Sequence, residues 1–401
     1  MLLLKKTIAI VGGGPAALFL AAYLDENQYN VTIYEKNTAL GRKFLVAGQG
    51  GFNLTHSEAT EIMLTRYSPS SFLKKALEGF SNTDLRNFLN SLGIETYVGT
   101  SKRVFPVKDI KPIEVLNALL IFLKQKGVTI ETNFNWKGFN ADNKLVFETT
   151  SGEQKIVADK VIFALGGASW KVTGSDGLWS AHFEKKGISC LPFRASNCAF
   201  EIKWTEAIAE KITGKALKNC SFLCGEKEIK GEAVLTSFGI EGSGVYPLSA
   251  EIRKQLDAKN SAELFIDFKP QLTKEEIKKR LISNENKALS RFLETELKLN
   301  KTVLLLLKTF LSKEEFTDPE ILSSRIKKFR LTLNSLAPID EAISTVGGIA
   351  LNEIDENYQL KKLQQHYAIG EMLDWDAPTG GYLLQACFSM GHHLAKYLNS
   401  I

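Results

Sequence analysis

The chain has 401 residues, 44% of them apolar and 24% charged, which is enough to bury a large core and suits two or three domains. Its net charge of +5 is mild, and the composition reads as that of a soluble globular chain. Five cysteines (Cys190, Cys198, Cys220, Cys224 and Cys387) follow no disulfide spacing and suit a reducing cytoplasm; with only five histidines, the Cys220-x-x-x-Cys224 pair is not expected to hold a metal.

Residues 8–35 read IAIVGGGPAALFLAAYLDENQYNVTIYE. A strand over Thr7–Val11 runs into Gly12, Gly13 and Gly14, a helix opens near Pro15, and a second strand, Val31–Tyr34, closes on Glu35. This is a dinucleotide-binding βαβ pattern. Gly12 permits the tight turn, Gly14 lets the backbone approach a pyrophosphate, and Ala17 stands where a third glycine is usual. The free N–H groups around Pro15, Ala16 and Ala17 at the helix start favour that anion. Glu35, with Lys36 beside it, is placed to accept both ribose hydroxyls. Ile8–Leu24 is long and mostly apolar, but three glycines and a proline interrupt it, so it is read neither as a leader nor as a membrane span.

The next segment, Gly41-Arg42-Lys43-Phe44 through Gly50-Gly51-Phe52-Asn53-Leu54-Thr55-His56, combines four glycines with two basic residues, an amide and a hydroxyl. Such a loop suits a phosphate and a polar ring edge. Thr83–Leu92 and Pro112–Lys126 read as amphipathic helices closed by Gly93 and Gly127. Strand Val128–Glu131 follows, then a hairpin of Leu145–Thr149 and Lys155–Ala158 about Ser151-Gly152. Buried strand Val161–Leu165 leads into Gly166-Gly167. Ala164 and Gly166 are small enough there for a cofactor to pass close by, and Trp170 and Trp179 could shape a pocket.

From Leu191 the pattern changes to short strands, Cys198–Ile202, Cys220–Cys224, Ala233–Thr236 and Leu264–Phe268, which suggests an inserted β-barrel or sandwich. Residues 273–330 turn helical. The stretch 269–330 holds fifteen Lys/Arg against nine Asp/Glu, enough to account for the surplus charge. Strand-like residues return at Ala342–Leu351 with Gly347-Gly348, then strand Tyr367–Gly370 and a last helix, Tyr382–Leu398. Between these, Gly370-Glu371, Asp374 and Gly380-Gly381-Tyr382-Leu383 form a second glycine-bounded turn opening a helix. Glu371 or Asp374 could accept from ribityl hydroxyls, and the helix start could stabilise charge at a flavin edge. Two helix N-termini in one discontinuous domain match the two ends of FAD.

Taken together, these segments resemble the bacterial NAD(P)/FAD-dependent oxidoreductases of the aminoacetone-oxidase-like or bile-acid-reductase-like kind. The resemblance runs over essentially the whole length and includes Arg103-Val104-Phe105-Pro106, Thr173-Gly174-Ser175, Gly231-Glu232 through Phe238-Gly239, and Val346-Gly347-Gly348. It implies an α/β fold: a discontinuous Rossmann-like FAD-binding domain with an inserted β-barrel-like subdomain and a small helical subdomain. The expected divisions are 1–190 and 336–401 for the FAD domain, 191–270 for the barrel and 271–335 for a helical cap. One departure stands out. Many relatives carry Gly-Arg-Cys-Asn where this chain has Gly50-Gly51-Phe52-Asn53, which argues against thiol chemistry at that point, while Asn53 and Thr55 still match.

The expected activity is transfer of hydride through FAD between NAD(P)H or a reduced substrate and an unsaturated small molecule or oxygen. Asn53, Thr55, His56 and Tyr382 are the candidates for the reacting end. In the last helix, one of His392 and His393 is expected to pack and the other to face solvent. No second G-x-G-x-x-G follows a strand, so NAD(P)H would be a transient reductant without a domain of its own. A flavin-dependent RNA-modifying enzyme and a non-catalytic flavin-binding protein are the alternatives. Nucleic acid is the less favoured partner because the basic insert has mixed charge and few aromatics.

Overall fold

The computed structural model describes residues 4–46, 51–107, 110–284 and 288–401. The chain forms two compact units, one up to residue 195 together with 339–401, the other 196–338.

In the first unit, strand Lys6–Val11 pairs in parallel with Tyr29–Glu35 on one side and Lys160–Phe163 on the other. Thr129–Thr132 and His366–Ala368 complete a five-stranded parallel sheet. Ile8 to Val11 are all at most 1% exposed, which is why this strand reads as an unbroken apolar run. Helix Pro15–Tyr23 is apolar nearly all round because the C-terminal helix Tyr382–Asn399 packs on it. A Cβ on Gly391 would lie 2.6 Å from the Ala16 carbonyl oxygen, so the missing side chain lets the two helices approach. Phe19 and Phe388 then stack with ring centroids 4.0 Å apart. Truncating fully buried Phe19 to alanine would cost about 3–5 kcal/mol.

The expected helices form over Asn82–Ser91 and Pro112–Gln125. The first begins one residue early because Ser81 and Asp84 make a capping box. The hairpin joins Leu145–Thr149 to Gly152–Ile156, a tighter turn than expected, with Thr149 opposite Gly152. A third strand, Asn135–Phe139, was not visible in the sequence pattern, since Asn133 and Gly138 at positive φ interrupt it. It delivers Trp136 to within 4.8 Å of Phe163, ring to ring.

The second unit is built on a seven-stranded antiparallel sheet in the order Phe329–Leu333, Ala262–Asp267, Lys215–Cys224, Lys227–Leu235, Gly239–Glu241, Phe200–Glu201, Ser335–Leu336. Its two outermost strands are one run of chain parted only by Asn334, whose N–H donates to the Glu201 carbonyl at 2.8 Å. The sheet therefore curls back on itself in a barrel-like form. Helices between Lys274 and Lys327 are inserted just before that closing run, with Thr273, Asn300, Ser312 and Asp318 as N-caps. The expected divisions at 191–270 and 271–335 thus do not coincide with the compact units. Residues 329–335 of the expected cap, together with Leu336, supply strands to the barrel, because the strand that closes it lies downstream of the helices.

Candidate functional site

Three turns leave the same ends of neighbouring parallel strands, where ligands of open α/β sheets bind. Val11 leads to the first glycine turn, Phe163 to Ala164-Leu165-Gly166-Gly167, and Ala368 to Gly370-Glu371. Gly12 has φ +101°, and a Cβ there would lie 2.5 Å from the Ala164 carbonyl oxygen, so the two turns are pressed together. At Gly14 a Cβ would meet nothing within 4 Å, which leaves open space at the helix start. The first intrahelical bond runs from the Leu18 N–H to the Gly14 carbonyl, and Ala16 and Ala17 have no N–H partner among the described residues. That space and those donors fit a pyrophosphate.

Glu35 is buried, and its carboxylate accepts from the Gly13 N–H at 2.9 Å, the Asn37 N–H at 2.9 Å and the Asn37 side chain at 2.8 Å. A carboxylate has about four acceptor sites. Room therefore remains for one ribose hydroxyl, fewer than the two expected. Lys36 is engaged with Asp176 at 2.7 Å, and exposed Arg42 donates to Asn37 at 3.0 Å. Ser175 stands in the sequence only as the end of the Thr173-Gly174-Ser175 stretch, with no role of its own. It is 6% exposed, its Oγ has no partner among the described residues, and it lies 3.5 Å from where a Gly166 Cβ would stand. An orphaned buried hydroxyl beside the glycine turn is a further fit to a polar cofactor. Trp179 donates from its indole to the Gly166 carbonyl at 3.1 Å and so holds this turn; Trp170, at φ +61°, opens the short helix Lys171–Thr173.

A second group gathers around Glu371. Its carboxylate, on a residue 8% exposed, accepts from the Thr345 N–H at 3.0 Å and from Lys43 at 2.9 Å, and Lys43 also donates to Ser169 at 2.9 Å. The ammonium expected to face a phosphate or ring edge is thus tied to the acid expected to face ribityl hydroxyls. Asp374 accepts from the Gly347 N–H at 3.1 Å. Gly41 is fixed by donating to the Gly13 carbonyl at 3.0 Å, and a Cβ on Gly370 would sit 3.1 Å from that of Ala16. Gly50 lies outside the described residues. Gly51 is exposed and Asn53 part-buried.

The third group surrounds the start of the C-terminal helix. Gly381 has φ +92°, and a Cβ there would lie 2.5 Å from Thr55 Cα, so only glycine lets the turn lie against that strand. Thr55 is fully buried, with its hydroxyl unpartnered among the described residues. The Leu383 and Leu384 N–H groups precede the first intrahelical bond, from the Gln385 N–H to the Gly381 carbonyl. The Tyr382 hydroxyl donates to Glu58 at 2.8 Å, and Arg66 pairs with the same carboxylate at 2.6 Å. Burial, with Glu58 as acceptor, pushes the Tyr382 phenol well up, so it stays protonated. The His56 ring stacks on Tyr382 at 5.1 Å, and burial lowers its pKa, which keeps the imidazole neutral near pH 7. Burial raises the carboxyl of Glu58, but the Arg66 and Tyr382 hydrogen bonds outweigh it and hold the group ionised. Neither Glu58 nor Arg66 lies in a motif, and no sequence signal could have found them.

His392 and His393 are both half-buried, contrary to the expectation that one faces solvent. His392 stacks on Phe80 at 4.8 Å, and His393 packs edge-on to Tyr358 at 5.4 Å. The last helix is covered on both of those sides. Cys387 is buried, and burial pushes its thiol up to about 12, so it is no thiolate. Among the described residues no cluster of His, Cys, Asp or Glu could hold a metal ion, and no helix is long and apolar enough to cross a membrane.

The model of the HI0933-like protein Rossmann domain matches residues 6–397. The chain belongs to that family. The chain is 26% identical to the 3-dehydro-bile acid delta(4,6)-reductase of Clostridium scindens, over 96% of this chain and 97% of that one. The ribosomal RNA dihydrouridine synthase of Haemophilus influenzae is also 26% identical, over 96% of each chain. Among solved structures, the 3-ketosteroid delta1-dehydrogenase of Sterolibacterium denitrificans is 13% identical with a TM-score of 0.51, covering 99% of this chain and all of the other. That last likeness is one of fold.

Proposed function

We propose that the protein is an FAD-dependent oxidoreductase that reduces an unsaturated small molecule, or delivers electrons to oxygen, at the expense of NAD(P)H or a reduced substrate. The observation that carries this reading is the open space at Gly14 beside the free Ala16 and Ala17 N–H groups, with buried Glu35 on the preceding Gly13 N–H and the orphaned Ser175 hydroxyl at the neighbouring Gly166 turn. Those groups would hold the ADP half, with the Gly166 turn alongside. Lys43, Glu371, Asp374 and the Gly380-Gly381 helix start would border the flavin half. When bound, FAD supplies a two-electron carrier that accepts and gives hydride. Around it, neutral His56 and protonated Tyr382 are the chain's proton-bearing groups, and the Glu58 carboxylate fixes the tyrosine hydroxyl. The Leu383 and Leu384 N–H groups would stabilise negative charge. The reductase name of one relative and the dehydrogenase name of the fold neighbour support a small-molecule substrate.

A second reading, an RNA-modifying flavoenzyme, draws on the dihydrouridine synthase names of two relatives. Against it, several cations of the helical insert are already paired: Lys274 and Lys278 with Glu320, Arg325 with Glu315, Lys327 with Asp267. Anaerobic titration of the FAD-loaded protein with NADH and NADPH tests the main reading. It predicts bleaching of the flavin bands by one of them or by a saturated substrate, and reoxidation by an enone or by oxygen. A bound flavin that no such donor or acceptor changes would leave a binding protein without this activity. Retention on ribosomal RNA at low salt would favour the second reading.

A further inference from the structure

Strand Arg103–Pro106 runs through the middle of a three-stranded sheet, with Thr55–His56 on one side and Thr96–Val98 on the other. The register sets Arg103 opposite His56 and Phe105 opposite Tyr97. Opposed residues of an antiparallel pair share a face, and so do residues two apart on one strand. One face therefore presents His56, Arg103, Phe105 and Tyr97, while Val104 and Thr55 point into the core. Two ring stacks flank the arginine: Tyr97 on Phe105 at 5.7 Å and 28°, and His56 on Tyr382 at 5.1 Å and 19°. Arg103 Nε lies 3.5 Å from where a Cβ of Gly380 would stand, so the guanidinium borders the glycine pair at the helix start.

The charges in this group do not cancel. Glu58 is taken by Arg66 and by the Tyr382 hydroxyl. His56 is neutral, for the reason given above. Part-buried Arg103 makes no side-chain hydrogen bond or ion pair among the described residues, so one positive charge is left over. A part-desolvated guanidinium without an acceptor is costly unless a ligand supplies one. Its planar fork matches a carboxylate or an enolate-like oxygen, and the exposed Tyr97 ring with part-buried Phe105 beside it suits a flat, conjugated framework.

We infer that Arg103 is a substrate-binding residue that anchors the anionic or carbonyl oxygen of a planar conjugated substrate between the Tyr97–Phe105 and His56–Tyr382 stacks. The inference rests on the oxidoreductase reading and narrows its substrate class to conjugated carbonyl or carboxylate compounds. Lysine at this position would keep the charge and lose the fork.

Calorimetric titration of the FAD-loaded protein with benzoate, a flat carboxylate, and with benzamide, its neutral counterpart, tests this. Wild type binds benzoate saturably, Arg103→Met weakens it at least tenfold and weakens benzamide, whose carbonyl oxygen is a neutral acceptor, by less, and Arg103→Lys falls between. Unchanged benzoate affinity in Arg103→Met, or no saturable benzoate binding to wild type, overturns the assignment. Flavin absorbance of each sample reports folding and cofactor binding separately. If no flavin binds, the oxidoreductase reading fails, while the same titration of the flavin-free chain still decides the role of Arg103. Arg103→Gln replaces the methionine variant if that chain does not fold.

Discussion

Replacing Lys43 by methionine would remove the ammonium that joins helix Arg42–Val46 to the Gly370-Glu371 turn while keeping most of the apolar stem. Glu371, whose side chain is 9% exposed, would keep the Thr345 N–H at 3.0 Å and lose its counter-charge. Breaking a fully buried pair by removing one partner costs about 3–5 kcal/mol. Lys43 is 24% exposed and the carboxylate retains the Thr345 N–H and, at 3.5 Å, the Thr345 hydroxyl, so the expected loss is about 2–3 kcal/mol. In a Glu371→Gln background the same substitution should cost at least about 1 kcal/mol less, because the neutral amide no longer needs the cation. Urea unfolding followed by tryptophan fluorescence reads this well, since Trp136, Trp170, Trp179 and Trp375 all lie in the first unit. A loss below about 0.5 kcal/mol, or an equal loss in both backgrounds, would refute the view that this pair clamps the two segments together.

Gly381→Ala forces a side chain into the left-handed region, worth about 1–2 kcal/mol, and against Thr55 backbone atoms that cannot rotate away, so urea unfolding should show a loss of at least about 3 kcal/mol. Glu35→Ala removes the acceptor of the Gly13 and Asn37 N–H groups and should weaken FAD binding by about 1.5–3 kcal/mol, read as fluorescence of released flavin; unchanged affinity would show that Glu35 only shapes the turn. Burial lowers the pKa of His392, so the unfolded chain binds its proton more readily. This histidine's stability contribution is complete above about pH 6.5 and is lost as pH falls below it, by up to about 1.4 kcal/mol per pH unit. His392→Phe, which keeps the ring on Phe80, should flatten that acid slope in urea midpoints measured between pH 7.5 and 5.5.

The parallel-sheet half of the fold was legible because its signals are local. A buried strand, a glycine turn and a closing acid follow one another in sequence between residues 8 and 35, and the C-terminal Gly380-Gly381-Tyr382 helix start has the same character. The closure of the barrel by residues 329–336 was hidden, since a strand's partner across some sixty residues of helix leaves no periodic trace. Side-chain partnerships were hidden for a similar reason. Lys43 and Glu371 each suit a cofactor contact by their place in the sequence, yet they face one another across 328 positions. Glu58 and Arg66 sit in unremarkable sequence and matter only because the fold brings Tyr382, 324 positions after Glu58, to the same carboxylate.

Equilibrium reconstitution of the flavin-free chain with FAD tests the central claim most directly. The account predicts saturation at one FAD per chain, with shifted and sharpened flavin absorbance, and loss of that binding when Gly14→Val fills the space at the helix start. Absence of saturable FAD binding, or binding that Gly14→Val leaves untouched, would contradict it.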